Sequence, residues 1–193
     1  DTVMTPRECM LYVKRQLRVG FMAQEPTTGR VRAYVGGTNF KFYKYDQVYT
    51  ARRQIGSTIK PFLYTLAMQE GYSPCMKVPN VPQVFEVADT IWSPKNSGST
   101  KYDGEMVTLK WGLAQSNNWI SAYLMSKLNP QQFVGLLRSY GFYNPDIHPS
   151  LALALGPCEA GGCEMVSAYT VFANHGIRCA PMFVTKIEAN EGN

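Results

Sequence analysis

The sequence lacks the patterns typical of a transmembrane helix, a signal peptide or a nucleic-acid-binding segment. Charged residues make up only 17% of its 193 residues. No apolar run reaches the roughly 18 residues that a transmembrane helix needs. The opening Asp1-Thr2-Val3 has no basic start and no apolar core after it, so no signal peptide is predicted. No block of lysine and arginine occurs and basic residues do not alternate with aromatic ones, which argues against a nucleic-acid partner.

The composition is that of a folded domain. Hydrophobic residues make up 45% of the chain, and 12 Tyr, 9 Phe and 3 Trp exclude a disordered protein. The net charge of +5 is mild and scattered; it suits an anionic polymer or a membrane surface without assigning either. Because the chain starts without Met and ends on Glu-Gly-Asn with no closing element, we expect it to be a piece of a longer one.

The first half predicts one hairpin and two helices. Residues 6–16 can form a short helix with Pro6 in its first turn. Strand-like runs at 17–24 and 30–36 are separated by Pro and Gly, which favours an antiparallel hairpin. The apolar spacing over 57–70 predicts a strong helix that Gly71 ends.

The second half is predicted to be mainly helical after an irregular, proline-containing excursion over 72–105. Such a long loop inside a domain commonly belongs near a functional site. Helices are expected at 107–115, 118–128, 130–140 and 163–175, with a break at Ser116-Asn117, and a strand-like run at 181–188 follows. Helices inserted into a sheet that begins at the N-terminus predict the α+β class.

The strongest local pattern is Gly56-Ser57-Thr58-Ile59-Lys60-Pro61. Pro61 fixes a helix start near Ser57, so Ser57 and Lys60 share one face of the first turn. A serine is a weak nucleophile until a base removes its proton, and a buried lysine can be that base. Alone, the pattern more often marks a capping serine followed by a surface lysine.

A second pattern, Ser116-Asn117-Asn118, lies in the predicted break between two helices. A tight turn there can aim Ser116 and Asn118 at one point in a cleft. Serine and asparagine also end and start ordinary helices, so this pattern too has a purely structural interpretation.

Taken together and in order, these segments resemble class A penicillin-binding proteins. Serine β-lactamases and penicillin-binding proteins combine S-x-x-K, an S-x-N-type turn and a K-T-G strand around one acyl-enzyme site. The wording of residues 106–113 is most similar to the Bacteroidetes branch. The resemblance runs from about residue 17 to the end of the chain. The segments that carry it are 28–37 (TGRVRAYVGG), 51–62 (ARRQIGSTIKPF), 107–109 (VTL), 113–118 (LAQSNN), 167–169 (SAY), 172–174 (FAN) and 176–178 (GIR).

The resemblance implies the fold and the reaction of that family. The fold would be the α+β penicillin-binding, serine β-lactamase-like transpeptidase fold, an antiparallel sheet flanked by helices, incomplete at the C-terminus. Ser57 would attack the D-Ala-D-Ala carbonyl of a peptidoglycan stem peptide, with Lys60 as general base. Ser116 would relay a proton to the leaving amine, and Asn118 would hydrogen-bond the peptide, with Trp119 as a further candidate for substrate contact.

The resemblance also implies an organisation and partners. Residues 1–16 would lead in from a glycosyltransferase domain, and 17–193 would be the N-terminal part of the transpeptidase domain. Partners would be stem peptides, lipid II-derived glycan strands and β-lactam inhibitors, at the periplasmic face of the inner membrane through an anchor outside this sequence. No cofactor and no metal are implied.

One departure from the family pattern is the absence of K-T-G or K-S-G from the sequence. In the family that strand forms one wall of the cleft and supplies the second oxyanion donor. Loss of one such donor typically slows the reaction by about a hundred- to a thousandfold. We therefore expect the isolated chain neither to crosslink nor to bind penicillin stably.

Two alternatives to crosslinking stay open at this point. A D,D-carboxypeptidase or β-lactamase would use the same nucleophile and base but pass the acyl group to water. A β-lactam sensor or scaffold would keep the fold without turnover.

The five cysteines allow several interpretations. Cys158, Cys163, His175 and Cys179 have near-plausible zinc spacing, but Cys163 and His175 lie about 18 Å apart by helical rise. A local Cys158–Cys163 disulfide is favoured in an oxidising compartment, and free thiols are the other possibility.

Overall fold

The chain has an α+β fold in which short strand pairs alternate with helices. A computed structural model describes residues 3–87 and 90–188. The helices are α1 (Pro6–Arg15), α2 (Lys60–Gln69), α3 (Leu109–Ala114), α4 (Asn118–Lys127), α5 (Pro130–Ser139) and α6 (Gly162–Ala173). The strands are β1 (Phe21–Gln24), β2 (Val31–Val35), β3 (Arg52–Gln54), β4 (Lys77–Pro79), β5 (Phe85–Val87), β6 (Thr90–Trp92), β7 (Met106–Thr108) and β8 (Glu159–Gly161). Over these ranges the strands pair as β1–β2, β3–β8, β4–β7 and β5–β6.

The chain divides into two compact units, one made of 1–52 with 161–193 and the other of 53–160. In the first unit, α1 begins with a capping box in which the Thr5 hydroxyl accepts from the Glu8 N–H and the Glu8 carboxylate accepts from the Thr5 N–H. The β1–β2 hairpin is antiparallel, and β1 packs on α6. Met22, Val48 and Cys163 form a small buried cluster there.

The second unit has the larger core, and α2 lies inside it. The apolar face of α2 is buried against α4 and α5 because its large side chains recur at helical spacing. Phe62 makes an edge-on contact with Phe142 at 5.5 Å between ring centroids and a tilted one with Tyr140 at 5.3 Å. Burial of such aromatic side chains contributes on the order of 2–3 kcal/mol each, so the start of α2 is firmly held.

The predicted helices and the hairpin are confirmed, with shifted boundaries. The strand expected over 17–24 begins only at Phe21. The helix expected over 107–115 begins at Leu109, because Met106–Thr108 pairs with β4 as a strand and the Thr108 hydroxyl then caps the helix.

Two expectations for extended structure were wrong in part. The excursion over 72–105 is not wholly irregular, since it contains β4, β5 and β6. Conversely, 181–188 forms no strand: over these residues only Met182 bridges, in parallel with Arg30.

The favoured Cys158–Cys163 disulfide is also wrong. All five cysteines are free thiols, and both of these are buried. The Cys163 side chain packs with Met22 and Val48 in the apolar cluster. Burial raises the pKa of each of these two thiols, so both are held as neutral, unreactive S–H groups.

Candidate active site

Ser57 lies in a 3₁₀ turn, Gly56–Ile59, that runs directly into α2. Gly56 has a left-handed φ of +54°, and its N–H donates to the carbonyl oxygen of Gly156 at 2.9 Å. Gly156 is left-handed as well, with φ +67°, and a Cβ on it would lie 2.1 Å from the Gly56 carbonyl oxygen. The turn before the serine is therefore fixed by a backbone contact that only glycine permits at position 156.

Lys60, one turn after Ser57, is buried with 1% of its surface exposed. Its Nζ donates to the Ser116 carbonyl oxygen at 2.6 Å, to Ser116 Oγ at 3.1 Å and to Asn118 Oδ1 at 2.6 Å. Burial lowers the pKa of the Lys60 ammonium to about 8. A lysine with such a pKa can hold or release a proton near neutral pH, which a surface lysine cannot do.

The break between α3 and α4 carries Ser116 in a left-handed conformation, with φ 51°. Its N–H donates to the Leu113 carbonyl oxygen at 3.0 Å, which closes α3. Asn117 then caps α4, its Oδ1 accepting the Ile120 N–H at 3.0 Å. This tight turn aims both the carbonyl and the hydroxyl of Ser116 at Lys60.

Two asparagines of the excursion hold this turn, and sequence reasoning missed both. Asn80 is fully buried, and its Oδ1 accepts from Asn117 Nδ2 at 2.8 Å. Asn96 Oδ1 accepts from the Asn118 N–H at 2.7 Å. The expectation that the excursion belongs near a site was the only sequence signal that pointed to them.

Ser57, Ser116 and Asn118 line one cavity of about 340 Å³. The polar segment 96–100 (NSGST) lines the same cavity. Neither the hydroxyl nor the N–H of Ser57 has a hydrogen-bond partner among the described residues, so both are free to meet a ligand. An unpaired N–H at a helix start can stabilise an oxyanion that develops on a carbonyl next to Ser57.

Thus the structure brings Lys60, Ser116 and Asn118 into direct contact, and it places Ser57 in the cavity that Ser116 and Asn118 line. It does not join Ser57 to Lys60 by a hydrogen bond. Trp119 lies apart from this cavity: its Nε1 donates to the Pro94 carbonyl oxygen at 3.1 Å, and it lines a neighbouring hollow of about 350 Å³.

Over the described ranges 3–87 and 90–188, no group of three or more His, Cys, Asp and Glu side chains is placed to hold a metal ion. No helix in those ranges has the length and apolar character needed to cross a bilayer.

Comparison with known proteins gives a family match over most of the chain. The family model described as "Penicillin binding protein transpeptidase domain" matches residues 19–193. Penicillin-binding protein 1A of Escherichia coli strain K12 is 36% identical over 169 residues, which are 86% of this chain and 20% of that protein. Penicillin-binding protein 1A of Vibrio cholerae is 34% identical over 175 residues, 90% of this chain and 21% of that protein.

A solved structure shares the fold as well. The crystal structure of penicillin-binding protein 1A from Haemophilus influenzae matches with a TM-score of 0.85 and 31% identity, over 91% of this chain and 26% of that chain. The chain spans about a fifth of the length of the curated relatives it matches.

Proposed function

The chain belongs to the penicillin-binding protein transpeptidase family, and from that premise we propose that it carries the nucleophile of a peptidoglycan D,D-transpeptidase. The observation that carries the proposal is the buried Lys60, which donates to Ser116 Oγ and Asn118 Oδ1 next to the cavity that Ser57 lines. Burying a lysine among neutral oxygens costs free energy, and the stability of the fold does not require it. Proton transfer does require such a lysine, because burial lowers its pKa.

The proposed first step is acylation. Ser57 Oγ attacks the carbonyl carbon between the two D-alanines of a stem peptide, and neutral Lys60 takes the hydroxyl proton. The carbonyl oxygen becomes an oxyanion next to the Ser57 N–H. The C–N bond then breaks, Ser116 Oγ passes a proton from Lys60 to the departing amine, and D-alanine leaves.

The second step reverses the proton movements. The amine of a neighbouring stem peptide attacks the Ser57 ester, giving up a proton to Lys60. The C–O bond breaks, Ser57 Oγ recovers its proton, and the new amide is the crosslink. A β-lactam would acylate Ser57 as in the first step but would release no small amine. The ester that it forms with Ser57 would therefore persist.

The protonation state of Lys60 supports its proposed role, first as the base and then as the acid that returns the proton. With a pKa of about 8, roughly a tenth of the Lys60 side chains are neutral at pH 7, against fewer than about one in a thousand for an unperturbed lysine. The base is therefore available before substrate arrives, and its conjugate acid is strong enough to return the proton.

The wider assignments are proposals on the same family premise. Residues 1–16 would link to a glycosyltransferase domain, and 17–193 would be the front part of the transpeptidase domain. Glycan strands derived from lipid II, stem peptides and β-lactams would be the partners, at the periplasmic face of the inner membrane through an anchor. The similarity to the Bacteroidetes branch stays a prediction.

The test uses the full-length protein that contains this chain, incubated with lipid II and analysed by liquid chromatography and mass spectrometry after muramidase digestion. We expect crosslinked dimeric muropeptides that disappear in Ser57→Ala. The matched control is Ser126→Ala on α4, whose exposed hydroxyl donates to the nearby Tyr123 carbonyl oxygen; it should crosslink normally.

Other products would contradict the proposal. Trimmed stem peptides without dimers would favour a carboxypeptidase, and rapid turnover of a β-lactam without either would favour a β-lactamase. A protein that forms no product and no β-lactam adduct would be a scaffold.

A further inference from the structure

The excursion between α2 and α3 binds Asn118 through hydrogen bonds to two of its nitrogen atoms. The Asn118 N–H donates to Asn96 Oδ1 at 2.7 Å, and Asn118 Nδ2 donates to the Lys95 carbonyl oxygen at 2.7 Å. One residue further, Trp119 Nε1 donates to the Pro94 carbonyl oxygen at 3.1 Å. Three successive residues of the excursion, 94–96, are thus bound to the first turn of α4.

These contacts fix which way the Asn118 amide points. The Lys95 carbonyl can only accept a hydrogen bond, so the NH₂ end of the amide must face it. The oxygen end is then left for Lys60 Nζ, 2.6 Å away, which donates to it. A flipped amide would set two donors against each other at Lys60 and two acceptors at Lys95.

Asn96 is the side chain that makes this arrangement possible. The N–H of Asn118 is one of the unpaired donors that every helix start presents, and the Asn96 oxygen satisfies it. That bond holds the main chain of segment 94–96 close enough for the Lys95 carbonyl to reach Asn118 Nδ2. Asn96 itself is half-buried and lines the cavity with Ser57.

We propose that Asn96 is a positioning residue for the acyl transfer: by binding the Asn118 N–H, it locks the Asn118 amide with its oxygen on Lys60. Asn96 acts through Asn118 and takes no proton itself. This inference rests on the proposed function of the same site.

The test measures acylation of the full-length protein by a fluorescent penicillin, separating the dissociation constant of the encounter complex from the acylation rate constant. Asn96→Ala removes the acceptor, and we expect its acylation rate constant to fall about tenfold, the usual effect of losing one orienting hydrogen bond. The dissociation constant should change by less than about threefold, because Asn96→Ala leaves the other lining groups of the cavity in place.

Asn96→Asp provides a second readout that a purely structural role would not move. It keeps an oxygen acceptor for the Asn118 N–H but adds a negative charge next to Asn118, the residue whose amide oxygen accepts from Lys60 Nζ. A negative charge there stabilises the ammonium form of Lys60. We expect the pH at which acylation reaches half its maximum to rise by about one unit, with the plateau near that of wild type. The ionisable side chains already on the excursion near this network, Lys95 and Asp103, are the same in both proteins, so the difference reports the new carboxylate.

Ser93→Ala is the matched control, since its hydroxyl donates to the Gln83 carbonyl oxygen within the same excursion and does not touch Asn118. It should acylate like wild type. The inference is overturned if Asn96→Ala acylates within about twofold of wild type per folded molecule, if Ser93→Ala loses as much, or if Asn96→Asp shows no shift in pH. If wild type itself is not acylated, the proposed function fails, and this inference fails with it.

Discussion

At the scale of single residues, the decisive feature is the chemical nature of the hydrogen-bond acceptors around Lys60. Among the described residues, its three hydrogen-bond acceptors are neutral oxygens of Ser116 and Asn118, and none of them is a carboxylate. Neutral oxygens return only part of the solvation that an ammonium loses on burial, which is why the pKa falls. A carboxylate in the same place would raise the pKa of Lys60 and leave fewer neutral side chains to act as a base near neutral pH.

The pH dependence of acylation follows from this pKa. Below pH 8 most Lys60 side chains are protonated and cannot take the Ser57 proton, so the acylation rate of the full-length protein should rise about tenfold per unit between pH 6 and 7. It should level off above about pH 8. Stopped-flow measurement with a fluorescent penicillin checks this, and a flat profile from pH 6 to 9 would contradict it. Lys60→Arg, always protonated, should show almost no acylation at any of these pH values.

The residues proposed to carry the chemistry could be picked out from the sequence because their spacing is local. Ser57 and Lys60 are three apart at a helix start, and Ser116 and Asn118 share one turn. Asn80 and Asn96 were not predictable. They lie in an excursion without periodicity, and their roles depend on hydrogen bonds to residues more than 20 positions further along the chain. The candidacy of Trp119 came from its position next to Asn118, but its indole points to Pro94 and lines another hollow.

At the scale of elements, the start of α2 is held by a second element a hundred positions further along the chain. The 3₁₀ turn Leu151–Leu155 ends at Gly156, whose carbonyl oxygen accepts from the Gly56 N–H. The Cys158 carbonyl oxygen accepts the Ile55 N–H at 3.1 Å next to it. These two bonds fix the main chain immediately before Ser57.

Gly156→Ala should therefore affect both stability and acylation. A left-handed alanine costs about 1–2 kcal/mol, and its Cβ would also push the Gly56 carbonyl away. We expect a lower melting temperature and at least about tenfold slower acylation by penicillin, because the Ser57 turn must move.

Gly135→Ala is the control for that substitution. Gly135 is exposed on α5, and nothing lies within 4 Å of the added Cβ. Alanine there should stabilise the helix by about 0.5–1 kcal/mol and leave acylation unchanged. A Gly156→Ala variant that melts and acylates like wild type would show that the contact does not hold the nucleophile.

Elements differed in how well the sequence predicted them. Long helices such as α2 and α5 can be predicted from apolar periodicity over ten residues. Strands of three residues, such as β4 and β6, are too short to show an alternation and form only through their partners. The apolar run at 181–188 has the composition of a strand, but over these residues only Met182 finds a pairing partner.

At the scale of the whole molecule, the fold and family were predictable because the matching segments occur in order along the chain. The match from residue 19 to 193 covers most of it, yet this is about a fifth of each curated relative. The sequence contains no K-T-G triad to supply the second oxyanion donor. The groups proposed to activate Ser57 lie within this sequence, whereas the family's K-T-G strand does not. We therefore expect the isolated chain and the full-length protein to behave differently.

Mass spectrometry after exposure to penicillin tests the central claim, that Ser57 is an acylated nucleophile, most directly. We predict one long-lived penicilloyl adduct on the full-length protein, on the peptide that contains Ser57, and none in Ser57→Ala. The isolated 193-residue chain should give little or no adduct. An adduct on another residue, or one that persists undiminished in Ser57→Ala, would contradict the account.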